Sequence, residues 1–134
     1  MTPLRVVLLV TSVLLLQSCT PASLIDLYND TGETITVMAL GKSAAVLPHS
    51  STQVDFVLAT GQHWESVTVT VRGKTWHYPQ KLFTRIPWRS WQRGPFESRR
   101  AFVHLDSRGR ISLRSPTGAA VPQPPGFPLQ PEKT

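Results

Sequence analysis

The chain has one cysteine, Cys19. A lone cysteine excludes an intramolecular disulfide and any zinc site built from several thiolates. Long apolar runs are missing too. The longest, Val6–Leu16, has eleven residues, and a helix needs roughly 20 to cross a bilayer. There is no G-x-S-x-G nucleophile setting, no H-E-x-x-H pair and no glycine-rich phosphate loop. After residue 18 no segment carries a helical period. Acids are scarce in one region: Val71–Arg114 holds only Glu97 and Asp106 against eleven bases. These absences point away from redox, metalloprotease, serine-hydrolase and nucleotide chemistry.

The first residues carry an address. Arg5 is a short positive lead, and the run Val6–Leu16 has the length of a secretory h-region. Leu16-Gln17-Ser18-Cys19 follows. This resembles the lipobox of bacterial lipoproteins, in which an apolar residue and a small residue precede an obligatory cysteine. The resemblance covers residues 1–19 and implies cleavage before Cys19, a thioether-linked diacylglyceryl group on its thiol, and acylation such as palmitate on the new amine. The chemistry requires a nucleophilic thiolate. Two or three acyl chains hold stably where one does not, at about 0.8 kcal/mol per buried CH₂. Thr20 in place of aspartate implies sorting to the outer membrane, facing the periplasm. Cys19 would then be consumed as the anchor.

Charge divides the remainder. Cys19–Thr70 has one base, Lys42, against five acids; Val71–Arg114 is strongly basic; Ser115–Thr134 is balanced. A basic region of this size attracts anions. In the cell envelope these are an acidic protein, lipid headgroups or an anionic glycan, and nucleic acid is excluded by compartment.

Strand patterns fill residues 24–114. Leu24–Asn29 and Thr34–Leu40 flank Asp30-Thr31-Gly32-Glu33, which predicts a hairpin over 24–40. Lys42–Leu47 and Thr52–Leu58 flank the turn at Pro48-His49-Ser50. Val67, Val69 and Val71 alternate with Ser66, Thr68 and Thr70. A two-residue turn at Gly73-Lys74 would pair Val71 with Trp76 and Val69 with Tyr78, placing both aromatics on the valine face and in the core. Residues 80–98 hold Pro87, Gly94 and Pro95 and have no clean period, which predicts a long loop of the kind that is often functional. Ala101, Val103 and Leu105 alternate in a strand over 99–106, and Arg110–Arg114 closes the set. The order of strands and turns is similar to small Ig-like bacterial domains, a generic likeness that implies no activity. The expected architecture is a small all-β, antiparallel sandwich of seven or eight strands. Residues 1–18 form the signal helix, 19–23 a lipidated tether, 24–114 the domain, and 115–134 a proline-rich disordered tail.

Catalytic motifs fare poorly. Asp30-Thr31-Gly32 matches the aspartic-protease triplet but sits where a turn is needed. His49, His63, His77 and His104 share no tight metal spacing; His104 and Asp106 merely lie on one strand face. The segment with the most binding chemistry interleaves cations (Lys81, Arg85, Arg89, Arg93, Arg99, Arg100) with aromatics (Phe83, Trp88, Trp91, Phe96). Arginine offers paired donors to phosphate or carboxylate, and tryptophan stacks or anchors. The expected function is a non-enzymatic, cofactor-free binding or assembly module, held to the membrane through Cys19. Arg85, Trp88, Arg89, Trp91, Arg93, Arg99 and Arg100 would contact an envelope protein, or alternatively a glycan such as peptidoglycan or lipopolysaccharide. A small enzyme or metal carrier using the histidines is the third reading.

Overall fold

The computed structural model describes residues 23–39, 41–56, 66–93 and 99–132. The signal segment, Cys19, His63 and Phe96 lie outside them. Among the described residues nine strands follow in order: β1 (Ser23–Asp30), β2 (Ile35–Ala39), β3 (Lys42–Val46), β4 (Ser51–Phe56), β5 (Val67–Val71), β6 (Lys74–Tyr78), β7 (Gln92–Arg93), β8 (Arg99–Asp106) and β9 (Ile111–Arg114). They form two sheets. The first runs β4-β1-β8, with β7 and β9 sharing the far edge of β8; the second runs β3-β2-β5-β6. All pairs are antiparallel except β1 with β8, which run parallel from Ser23 beside Arg99 to Asp30 beside Asp106. The alternation read from the sequence has its expected result. Ile25, Leu27, Ala101, Val103 and Leu105 from one sheet join Ile35, Val37, Val67, Val69 and Tyr78 from the other in a single core. Each fully buried valine, leucine or isoleucine among them contributes about 1.5–3 kcal/mol.

The expected hairpin over 24–40 does not form. β1 and β2 lie in different sheets, so residues 31–34 cross from one layer to the other. Residues 47–50 make a second crossing, between β3 and β4. The cause is Asn29, whose side chain is 0% exposed. Its amide donates to the carbonyls of Glu33 (2.7 Å), Val46 (3.0 Å) and Leu47 (3.2 Å). Its oxygen accepts from the Thr31 backbone N–H (3.0 Å) and hydroxyl (2.7 Å). The turn at 30–33 is therefore closed by a side chain rather than by a ladder. Main-chain bonds from Asn29 to Ser50 and from His49 to Asn29 tie the second crossing to the same point.

The β5–β6 hairpin differs by one step from the expected turn. Arg72 (φ 48°) and Gly73 (φ 74°) make the turn, and Val69 pairs with Trp76 and Val71 with Lys74. Positive φ at both central residues matches the right-handed twist of the flanking strands, which outweighs the cost of a left-handed arginine. The pairing moves by two residues, an even number, so the faces survive. Tyr78 is fully buried, with its hydroxyl donating to the Gly109 carbonyl at 2.7 Å. Trp76 packs over Gly109 so closely that a Cβ there would lie 2.8 Å from its ring.

Residues 115–132 correct the expectation of a disordered tail, and the domain extends past 114. The segment lies along β9 as a strap. Leu129 exchanges two main-chain bonds with Ile111 (2.8 and 2.9 Å) and is 0% exposed. The Gln123 side chain replaces a missing strand neighbour, accepting from the Leu113 N–H (2.9 Å) and donating to its carbonyl (3.0 Å). Glu132 then donates to the His77 carbonyl of β6 at 2.7 Å. Proline lacks an N–H, but an edge needs donors only at intervals. Here the residues between the prolines supply them.

Two outcomes follow. Leu129→Ala should destabilise the domain by about 2–4 kcal/mol in denaturant unfolding, as for other buried leucines; a tail making no contact would give no change. Asn29→Ala should cost more than an ordinary surface polar substitution, at about 1–3 kcal/mol for each carbonyl left buried without a donor. The lowered denaturation midpoint is the measurement.

Candidate functional site

The long segment after β6 is not an open loop. Pro79 and Pro87, with their fixed φ, each start a 3-10 turn, over Gln80–Arg85 and Trp88–Ser90. β7 then adds two residues to the edge of β8. This arrangement sorts the candidate residues. Phe83 and Ile86 are buried in the core, and Trp91 packs against it half-buried. Phe83 thus seals the sandwich and is not available for stacking, while Trp91 keeps part of its surface exposed. Trp88, in contrast, is 82% exposed.

The arginines divide in the same way. Arg100 is held: its Nη2 donates to Asp26 Oδ2 at 2.9 Å, and its guanidinium lies 5.5 Å from the Phe102 ring centre. Arg85 lies against Gly126 of the strap. Arg93 and Arg99 are exposed and directly opposite one another in the β7–β8 register. Like charges so placed repel, and neither has a carboxylate partner among the described residues. Arg89 lines a groove of about 570 Å³ between residues 87–92 and the strap at Val121–Pro125. Arg114 lies on the other wall.

A second region includes, of the residues singled out in the sequence, only His104. The parallel register of β1 and β8 sets Asp26 beside Phe102 and Tyr28 beside His104 on the outer face of the first sheet; β9 adds Arg114 beside Phe102. The Tyr28 and His104 rings stack, with centres 4.4 Å apart and planes 22° apart. With residues 115–118 these side chains line a cleft of about 420 Å³. Its sequence signal was the alternation of Arg100, Phe102, His104 and Asp106 with buried Ala101, Val103 and Leu105. What supplied the rest was a parallel pairing between strands some 75 residues apart, which no local pattern reports.

Electrostatics on this face are uneven. Burial, then the positive charge of Arg114, lowers the His104 pKa, with Asp30 opposing. For Asp106, burial pushes upward. The backbone N–H groups of Arg110 and Arg108 and the Arg110 guanidinium at 2.8 Å outweigh it and hold the carboxyl below its usual range. Asp106 is thus a turn-forming residue, tied to Arg110, and not a ligand partner for His104. Burial and the Asp106 charge push the Tyr78 phenol well above its ordinary range. Among the described residues no three His, Asp or Glu side chains converge as a metal site requires.

His104 makes a prediction with a definite sign. Its folded pKa lies below the unfolded value near 6.5, so the unfolded chain binds more protons as pH falls through that window. Stability is fully present above about 6.5 and declines below it. Arg114→Gln should raise the His104 titration midpoint toward the ordinary value, read from its imidazole NMR signals, and reduce this acid sensitivity.

No family model matches the chain, and no curated protein or solved structure shows significant similarity to it.

Proposed function

We propose that this chain is a lipid-anchored envelope protein that works as a non-catalytic binding or assembly module. The fold supports the reading as a compact sandwich closed by its own strap, with side chains left over for contact. The observation that carries it is the placement of Arg93 opposite Arg99 at the β7–β8 edge, both exposed and without carboxylate partners among the described residues. Two guanidiniums held side by side weaken the edge they sit on. An acidic partner converts that repulsion into paired, charge-assisted hydrogen bonds. Trp88, exposed in the same segment, supplies the aromatic anchor that such contacts favour. Arg89 extends the cationic rim along the groove. The partner is an acidic envelope protein, and Cys19 provides the attachment that keeps the domain beside it.

Two measurements test this. Cys19→Ser should lose acyl mass and move the protein from membrane to soluble fractions. A photo-reactive residue at position 88 should cross-link a discrete envelope protein in cells, and one at Thr36 on the opposite sheet should not. Arg93→Glu combined with Arg99→Glu should abolish the cross-link at 88. Equal labelling from both positions, or a cross-link that survives charge reversal, overturns the contact surface.

A further inference from the structure

The cleft on the outer face of the first sheet has a built polarity that the rim of Trp88 does not share. One row of the sheet runs Asp26, Phe102, Arg114 across β1, β8 and β9. At about 4.8 Å per strand the two charged ends stand about 10 Å apart at the backbone, with the half-buried Phe102 ring between them. Arg114 enters no ion pair among the described residues, and its Nε is buried without an acceptor. No carboxylate among the described residues therefore answers its charge. At the other end Asp26 Oδ2 accepts from the Arg100 guanidinium. Its charge is already neutralised, and Oδ1 has no donor among the described residues. That oxygen suits a hydroxyl better than an ammonium. The stacked Tyr28 and His104 form a wall, and the Ser51, Ser115 and Thr117 hydroxyls border the space.

The geometry points to this cleft as a binding site for an acidic sugar, a hydroxylated ring carrying a phosphate or a carboxylate. The anionic group pairs with Arg114, the ring lies over Phe102, and ring hydroxyls donate to Asp26. A volume of about 420 Å³ falls at the small-ligand end of the usual pocket range. A bare anion would leave the Asp26 end unused. A neutral sugar would leave Arg114 unpaired. The site presumes a non-catalytic binding module but uses neither Trp88 nor the Arg93–Arg99 pair, so either surface can fail without the other.

Calorimetry on the full chain in detergent tests it with four probes: glucose 1-phosphate, galacturonate, glucose and inorganic phosphate. One or both acidic sugars should bind at least about tenfold more tightly than glucose or phosphate, a difference that one charge-assisted hydrogen bond accounts for. Which of the two binds identifies the anionic group. Arg114→Gln should weaken that binding about tenfold or more, and ligand should shift the His104 imidazole signals. Thr117 is exposed on the rim, so Thr117→Trp blocks the mouth while leaving the core untouched; it should abolish binding with unchanged thermal stability. Trp88→Ala should leave affinity unaltered. Inorganic phosphate or glucose binding as tightly as the acidic sugars, full affinity in Arg114→Gln or Thr117→Trp, or no saturable binding of either acidic sugar overturns the assignment.

Discussion

The whole arrangement turns on one buried amide. Asn29 sits at the end of β1 with its side chain wholly enclosed, in a position where the alternation of the strand would place an apolar residue. Leucine there would bury well and hold nothing. Asparagine instead fastens residues 31–33 and residues 46–47 to one point. Those are the two places where the chain leaves one sheet for the other. A buried polar group is tolerated when its bonding capacity is filled, and here both donors and the acceptor are occupied. The network favours two crossings over two hairpins, and so a layered sandwich over a flat meander.

Because β1 belongs to the first sheet, it becomes the neighbour of β8, and this placement decides how charge is distributed. The chain is acidic in its first half and basic in its second. In space the halves interleave. Asp26 of β1 meets Arg100 of β8, and Glu33 of the first crossing meets Arg72 of the β5–β6 turn. Among the described residues, Asp26, Glu33 and Asp106 are held by arginines, while Arg89, Arg93, Arg99 and Arg114 are among the cations left without a carboxylate. Those four arginines fall in two places, the β7–β8 edge with its flanking groove and the outer face of the first sheet. Exposed ion pairs contribute little stability; here they matter by deciding which arginines remain available.

What local pattern could reveal, it did. The strict alternation over 66–71 fixed which side chains of β5 and β6 enter the core, and a turn displaced by one residue left that unchanged. Alternation in β8 held in the same way. The failures share a cause. The hairpin expected over 24–40 had good strands and a good turn, and only the long-range bonds of Asn29 redirect it. The strap looked incapable of ordered pairing because six prolines crowd it, while the contacts of Leu129, Gln123 and Glu132 are with partners 10 residues or more away. Phe83 read as a contact residue by composition, and the 3-10 turn over Gln80–Arg85 carries it into the core. His104 read only as a weak partner for Asp106, because its stacking neighbour Tyr28 comes from a parallel pairing with a distant strand.

The strap also has a bearing on how the protein comes into being. β9 ends one sheet and β6 ends the other, and both are finished by residues 119–132. A polypeptide made from its N-terminus has every core strand in hand before those residues arrive. Until then it carries raw strand borders, the surfaces most prone to pairing with another copy. Completion of the fold thus waits for residues 119–132. A molecule clipped or halted short of Leu129 would be a sticky one, with intact sheets and nothing to hem them.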